Sequence, residues 1–357
     1  MSIGSPPGDS DADAAHARAA AADARVGARL RHAVDDLFLP DEARLSDRVR
    51  VTVHTLLAGI VAAAEAEVRR HAARLLAVRG AGAQAELLLR GAPVLDRLAS
   101  TGVLRDRDLA EELIARVELD TLAAALPPAG TAPDRPGLLV RLSEHPDGMV
   151  ADAALALIGA EGRRRSGYED SGPVRSELPA ELHQRLLWRV AAAIREQATG
   201  MDRDRALTEA TLRSLSAHDE ADRSEVAAAR LAAAIDPAPD ELGPLLVDAV
   251  GDRRLTFTAA LLARATAVDY EQVRHLLIDP HPDLFLLLLL AAHLPRPPIA
   301  RIGVALAEAD PRRDLGQLAD AIDWAMSHDR EEARAALASL ALPADFRAAV
   351  RALASGR

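Results

Sequence analysis

The chain has 357 residues and a formal net charge of −11, with 49% hydrophobic residues but only 2% aromatic ones. This is the composition of a folded protein whose core consists of Leu, Ala and Val, and its acidity argues against binding to duplex nucleic acid. The chain contains no Cys and no Lys, which excludes thiolate metal sites, disulfides, Schiff bases and the lysine of a phosphate-binding P-loop.

The start of the chain is polar. Residues 1–11 are rich in Gly, Ser, Pro and Asp, which predicts a disordered tail. The opening MSIGSPPGDSDAD has neither the positive region nor the apolar region of a secretory signal peptide, so we expect a cytoplasmic protein. An Ala-rich helical pattern then runs over residues 12–39 and ends before Pro40.

The longest amphipathic pattern covers residues 46–78. Its apolar residues recur at a spacing near 3.6 residues, which predicts helical structure about 50 Å long. The pattern fits one helix or two helices joined at Gly59. Glu65 and Arg69 are spaced i, i+4, and we expect this ion pair on the exposed face.

Shorter helical patterns continue to the C-terminus, with Asp or Pro at many of the cap positions. They are predicted near 83–90, 93–100, 106–117, 119–125, 137–144, 147–163, 179–198, 202–216, 219–235, 239–250, 253–266, 269–278, 283–294, 298–309, 312–327, 329–340 and 343–354. The Pro-rich stretch PPAGTAPDRP (127–136) predicts a connector. The stretch RRRSGYEDSGPVRSE (163–177) predicts a long exposed loop.

The stretch LFLLLLLAA (284–292) is apolar at every position. It is too short to cross a bilayer, which takes roughly 20 apolar residues, and it lacks the β-branched residues that favour strands. Prolines on both sides are typical of helix boundaries. We therefore expect a helix at the centre of the core, surrounded by other helices.

These patterns predict an all-α fold. The many short helices with brief turns favour a helical repeat array of the α-solenoid, HEAT-like kind, either continuous or divided into two halves. The array would comprise an N-terminal helical region at 12–126, a second helical region at 137–162 and a C-terminal array at 178–357. A compact helical bundle is the alternative.

Three segments resemble a bacterial family of uncharacterised all-helical proteins, known only as a domain of unknown function. They are APVLDRLASTGVLRDRDLAEELIARV (92–117), LPAELHQRLLWRVAAAIRE (178–196) and LLVDAVGDRRLTFTAALLARATAVDYEQVRHLLIDP (245–280). The resemblance takes in most of residues 40–340. It implies a helical repeat fold of the kind used for protein binding, and it supplies no catalytic residues.

Two patterns share features with ligand-binding motifs but fit structural roles better. The fragment GAGAQA (80–85) contains G-x-G-x-x-A, yet a long helix precedes it where a dinucleotide site needs a strand, so a helix end and a turn explain it. The group His275, Asp279, His281 and Asp283 combines oxygen and imidazole ligands, but its aspartates stand where helix caps belong. We therefore expect neither a cofactor nor a metal ion.

No pattern supports catalysis. The sequence contains no HExxH, no His-Glu dipeptide and no GxSxG. We therefore expect a protein that is not an enzyme. The alternative is a phosphotransfer protein, or an enzyme with a site formed only by the fold, and His54 beside the long apolar stripe is the best candidate for that role.

Besides the inner face of the predicted array, two surface clusters are candidates for protein binding. One is the predicted loop 163–177, with arginines and a tyrosine, and the other is a tryptophan between two arginines on a predicted helix; Arg, Tyr and Trp are residues that interfaces favour. The candidate interaction residues are Arg163, Arg164, Arg165, Tyr168, Arg185, Trp188 and Arg189. A solvated helix end and a core tryptophan are the simpler interpretations. The sequence thus predicts an interaction scaffold or regulatory adaptor that binds an unidentified protein partner, and neither nucleic acid nor a membrane.

Overall fold

Every regular element in the described part of the chain is helical. The structure is a computed structural model that describes residues 44–127, 136–169 and 176–343, with isolated positions up to 353. Its helices are α1 Asp47–Val78, α2 Gly82–Leu89, α3 Leu95–Ser100, α4 Arg107–Ala125, α5 Leu138–Ser143, α6 Gly148–Glu169, α7 Ala180–Glu196, α8 Met201–Ala217, α9 Ser224–Ile235, α10 Pro239–Gly251, α11 Leu255–Thr266, α12 Tyr270–Ile278, α13 Asp283–Ala291, α14 Arg296–Ala309, α15 Leu315–Met326 and α16 Arg330–Leu337. Short 3₁₀ helices cover Glu220–Asp222 and Ala338–Ala341. The all-α prediction is confirmed.

The long N-terminal pattern forms one continuous helix, α1, which passes through Gly59 without a break. It packs against α2, α4, α7 and α8. It ends at Val78 and is followed by Gly80, whose left-handed φ of +79° suits a residue without a Cβ atom. The N–H groups of Gly80 and Ala81 bond back to the carbonyl oxygens of Ala77 and Leu76. The GAGAQA fragment is therefore a helix end followed by a turn, as predicted.

The Glu65–Arg69 pair of α1 is buried, so the prediction that it lies on the exposed face is wrong. The Arg69 guanidinium donates to the carbonyl oxygens of Leu88 and Ala92, and the Glu65 carboxylate accepts from the backbone N–H of Val94. These bonds satisfy backbone groups in the α2–α3 connection, which would otherwise lack partners in the interior.

Helix α4 lies between the N-terminal helices and the C-terminal ones. It joins two predicted helices, 106–117 and 119–125, because no Gly or Pro interrupts the sequence between them. It packs against α1 and also against α11, α12 and α14, which follow it by more than a hundred residues. These contacts join helices that are far apart in sequence, whereas a linear repeat array has contacts between neighbouring repeats.

The all-apolar stretch forms α13, and residues 285–291 are all buried. Five helices surround it: α11, α12, α14, α15 and α16. The prediction of a central core helix is confirmed. Asp283 lies in its first turn, where a carboxylate favours the positive end of the helix dipole, but no side chain at its N-cap, Pro282, caps it.

Helix α6 extends to Glu169, so the predicted exposed loop is wrong over residues 163–169. Leu157, Ala160 and Arg164 share one face of this helix at i, i+3, i+7 spacing, and all three are buried. The buried Arg164 side chain holds the last turns of the helix against the protein. Residues 170–175 of the predicted loop lie outside the described residues, and Glu177 at its end is buried, so the exposed loop is wrong there too. The tail at 1–11, the pattern at 12–39 and most of the connector 127–136 also lie outside the described residues.

One helix in the described part of the chain, α1, is long and apolar enough to cross a membrane, and its most apolar window has a mean hydropathy of 1.4. The core helix of a soluble protein passes the same test. Here α1 packs against six other helices of the described part of the chain and buries an ion pair. That the chain does not enter a membrane stays a prediction.

We expect Leu288→Asp to lower the free energy of unfolding by several kcal/mol, because Leu288 is fully buried and the new carboxylate would have no partner. The matched control is Leu284→Asp on the same helix, where the side chain is 42% exposed and the change should have little effect. Urea unfolding of both variants measures the difference. Equal stability of the two variants would show that α13 does not occupy the core.

Candidate functional site

A cavity with a volume of about 780 Å³ lies between α1, α4, α6 and the turn that joins α10 to α11. Its volume is in the range of pockets that bind small ligands or side-chain groups. Five arginines line it: Arg48, Arg164, Arg165, Arg253 and Arg254. We call it the arginine cavity.

The carboxylates on the cavity wall are already engaged. Asp120 pairs with Arg164 at 3.0 Å, and Glu161 pairs with Arg254. The carboxylate of Asp252 accepts a hydrogen bond from the backbone N–H of Leu138. These interactions neutralise two of the five guanidinium groups.

The other three arginines are exposed and form no ion pair with any residue that the structure describes. They are Arg48 on α1, Arg165 on α6 and Arg253 in the α10–α11 turn. The Nε of Arg165 donates only to the backbone carbonyl oxygen of Glu161, at 3.4 Å. The cavity therefore carries uncompensated positive charge in a protein whose net charge is −11.

The backbone at Arg253 has a conformation that usually belongs to glycine. Its φ is +62°, and the N–H groups of Arg253 and Arg254 bond to the carbonyl oxygens of Val250 and Ala249. This is the same helix ending that Gly80 forms after α1. A side chain in the left-handed region costs about 1–2 kcal/mol relative to glycine, so Arg253 is held there at the expense of stability.

Behind the cavity lies a buried ionic network. Arg164 of α6 pairs with Glu225 of α9 at 3.0 Å, and Arg116 of α4 pairs with Glu177 at 3.4 Å. The hydroxyl of Ser224 donates to Glu177 at 3.2 Å. We call Arg116, Arg164, Glu177 and Glu225, together with Asp120, the buried network.

The charges of the buried network oppose the effect of burial. Burial by itself would raise the pKa of Glu225, but the guanidinium groups of Arg164, Arg223 and Arg116 outweigh it and lower the pKa to about 2. At Glu177 burial dominates and raises the pKa, although Arg116 and Arg164 act in the opposite direction. Glu225 is thus a firmly ionised partner for Arg164.

A second buried pair lies beside this network. Arg274 of α12 contacts Glu112 of α4 at 2.7 Å, and both side chains are buried. It adds a further link between α4 and the C-terminal helices.

The candidate residues of the predicted loop take different roles. Arg164 is buried in the network, whereas Arg163 is exposed and contacts Asp222 at 3.5 Å. Arg165 lines the arginine cavity. Tyr168 lies in α6, and only its backbone is described. Of these four residues, the structure brings Arg164 and Arg165 together in one cavity.

The second predicted cluster lies on α7, away from the arginine cavity. Trp188 is 36% exposed. Arg185 pairs with Asp108 at 2.8 Å and Arg189 pairs with Asp106 at 2.8 Å, both near the start of α4. Both arginines are thereby engaged within the protein.

The predicted histidines lie outside the arginine cavity. His54 is exposed on α1, with its Nδ1 at 2.8 Å from the carbonyl oxygen of Arg50. Asp279 accepts a hydrogen bond from the backbone N–H of His281 and so shapes a turn. Among the described residues, no group of three or more His, Asp or Glu side chains is arranged to hold a metal ion.

A second cavity, of about 400 Å³, lies between α1, α7 and α8, and two histidines line it. The rings of His183 and His218 are stacked with their centroids 4.1 Å apart. The Nδ1 of His183 lies 3.0 Å from the hydroxyl oxygen of Ser176. Burial, together with His218, lowers the pKa of His183 to about 4.

Sequence reasoning missed Arg48 and Arg253 as site residues. A signal existed for Arg253, because the motif GDRRL places arginine at the position after α10 where helix endings favour glycine. Arg48 gave no such signal, because an exposed arginine in the first turn of a helix is common.

Fold and site together define an all-helical protein with a basic cavity built over a buried ionic network. No family model matches the chain, and no curated protein or solved structure is significantly similar to it. The resemblance to a bacterial family of all-helical proteins stays a prediction.

We expect Arg164→Ala to lower the free energy of unfolding by about 3–5 kcal/mol, because it leaves the carboxylate of Glu225 buried without its partner. Arg163→Ala removes the neighbouring, exposed arginine and should change stability by less than about 1 kcal/mol. Denaturant unfolding compares the two. Equal effects would show that Arg164 does not carry the buried network.

We expect stability to rise with pH between about 4 and the ordinary histidine pKa of 6.5 in part because of His183. In this window the unfolded chain binds a proton at His183 and the folded chain does not. The free energy of unfolding therefore rises by about 2–3 kcal/mol across the window. His183→Gln should flatten the dependence of the unfolding free energy on pH. The control is His54→Gln, an exposed histidine, and a slope equally changed in both variants would contradict the assignment.

Proposed function

We propose that this chain is an interaction module, without enzymatic activity of its own, that binds a protein partner. The arginine cavity is the recognition site, and it receives an anionic group of the partner. The observation that carries the proposal is the convergence of Arg48, Arg165 and Arg253 on one cavity without carboxylate partners among the described residues.

Guanidinium groups suit this role. Arg binds anionic groups through paired N–H donors, is weakly hydrated and is enriched at protein interfaces. The wall of the cavity is also fixed, because Arg164 and Arg254 are held by carboxylates on α4 and α6. A preorganised site loses less conformational entropy when its partner binds.

We further propose a repeat-like arrangement of helices in the HEAT manner, as the resemblance implies. Support comes from consecutive helix pairs that pack on each other across short turns, such as α5 with α6, α7 with α8 and α14 with α15. The contacts of α4 with α11, α12 and α14 would then fold the array back on itself.

We propose a cytoplasmic protein whose partners include neither nucleic acid nor a membrane. The net charge of −11 supports this, because it opposes binding to polyanionic surfaces outside the arginine cavity. The phosphotransfer alternative at His54 gains no support from the cavity, since His54 does not line it.

The test is quantitative capture of the partner from lysate of the native cell. Three tagged forms are compared: the unchanged protein, a cavity variant with Arg48→Gln, Arg165→Gln and Arg253→Gln, and a control variant with Arg105→Gln, Arg205→Gln and Arg230→Gln. The control arginines are exposed and lie outside the cavity, so both variants lose the same charge.

We expect the cavity variant to recover at least about tenfold less of the main partner than the control variant, because each charged hydrogen bond contributes at least 1.5 kcal/mol. Recovery by the unchanged protein should also fall as salt is raised. Equal recovery by all three forms would refute the cavity as the recognition site.

A further inference from the structure

We propose that the group bound in the arginine cavity is a phosphate group, carried either by a small molecule or by a phosphorylated side chain of the partner. This inference rests on the proposed function, because it names the chemical group that the same cavity receives.

The charge balance favours a compact, multiply charged anion. Three guanidinium groups lack ion-pair partners among the described residues, while Asp120 and Glu161 pair with the other two arginines. Asp252 keeps its charge, because it accepts only a backbone N–H, but the five arginines of the wall still outnumber its three carboxylates. The rest of the protein is acidic, with a net charge of −11, so a long acidic segment would be repelled where it left the cavity. A phosphate group concentrates nearly two negative charges in a small volume.

The number of donors also exceeds what one carboxylate can use. Arg48, Arg165 and Arg253 approach from three different elements, and each guanidinium can present a pair of N–H donors. A carboxylate has two oxygens with about four acceptor sites, fewer than the roughly six N–H donors that three guanidinium groups present in pairs. A phosphate group offers three oxygens and suits recognition by several arginines at once.

The start of α11 also favours an anion in the arginine cavity. Residues 253–256 of the α10–α11 turn and the first turn of α11 line the cavity, and the N-cap residue Arg254 supplies no side-chain acceptor. The positive end of this helix therefore faces a cavity that is already basic, and it favours an anion there.

At Arg253 the effect of a substitution on phosphate binding can be distinguished from its effect on folding stability. Glycine would suit its φ of +62° better, as it does at Gly80. Arg253→Gly therefore removes one of the proposed phosphate-binding side chains without removing a structural contact.

The test is calorimetric titration with inorganic pyrophosphate, in chloride buffer, of the unchanged protein, Arg253→Gly, the cavity variant and the control variant. We expect binding to the unchanged protein and the control variant, a dissociation constant at least about tenfold weaker in Arg253→Gly, and no binding to the cavity variant. Arg253→Gly should keep or raise the thermal midpoint, which shows that the loss is not due to unfolding.

A second arm distinguishes the two sources of phosphate. A peptide with phosphoserine beside two neutral residues is titrated alongside the same peptide with Asp in place of phosphoserine. If the phosphopeptide binds in a way that depends on the cavity arginines and the Asp peptide does not bind, the group is assigned to a protein side chain. If pyrophosphate binds and the phosphopeptide does not, the group is assigned to a small molecule.

Failure of this inference and failure of the proposed function give different results. Partner capture that depends on the cavity arginines, with no binding of pyrophosphate or phosphopeptide, overturns the phosphate assignment and leaves the proposed function standing. Equal pyrophosphate binding by all four forms would indicate non-specific charge attraction and would also overturn the phosphate assignment. Cavity-dependent pyrophosphate binding without cavity-dependent capture supports the phosphate site and refutes the protein-partner function.

Discussion

The attraction between buried guanidinium and carboxylate groups around α4 is the constraint on which the rest of the structure depends. Arg116 and Glu112 of α4 reach Glu177 and Arg274, and Asp120 reaches Arg164. Each charge would be highly unfavourable in the interior without its partner. Only a packing that brings α4, α6, α9 and α12 together satisfies all of them, so the network selects one arrangement among helices whose apolar faces are nearly interchangeable.

This constraint also explains how a cavity lined with arginines keeps its shape. Arg164 is immobilised by carboxylates from two helices, and the adjacent Arg165 then projects from a rigid turn of α6. The chain uses the same residue type for two purposes. Arginines with carboxylate partners hold helices together, and arginines without them at the cavity remain available to a ligand.

The sequence predicted helices well and ionic contacts poorly. Boundaries such as Gly80 and the prolines around α13 follow from local conformational preference, and they were correctly predicted. The burial of the Glu65–Arg69 pair does not follow from the sequence, because i, i+4 spacing is the same whether a pair faces solvent or the interior. The sequence predicts a loop over residues 163–169, because a run of arginines resembles a solvated segment until a distant partner such as Glu225 is known.

The arginine cavity could not be predicted from the sequence, because its residues are far apart along the chain. Arg48, Arg165 and Arg253 come together only through the packing of α1, α4, α6 and α11, and no spacing pattern within the sequence links them. Of the three, only Arg165 belonged to a predicted cluster. Single residues that meet across long separations are beyond pattern analysis, whereas periodic apolar faces are not.

The packing of α1 has a consequence for biosynthesis. Its buried stripe lies partly against α8, which begins at Met201, so the helix cannot be covered when it first leaves the ribosome. At synthesis rates of about 5–20 residues per second, on the order of ten seconds pass before its partner is made. During that time the apolar stripe of α1 is exposed and open to association with other chains. Folding of this protein in the cell is therefore expected to be late and cooperative, and a binding chaperone would protect the nascent N-terminal half.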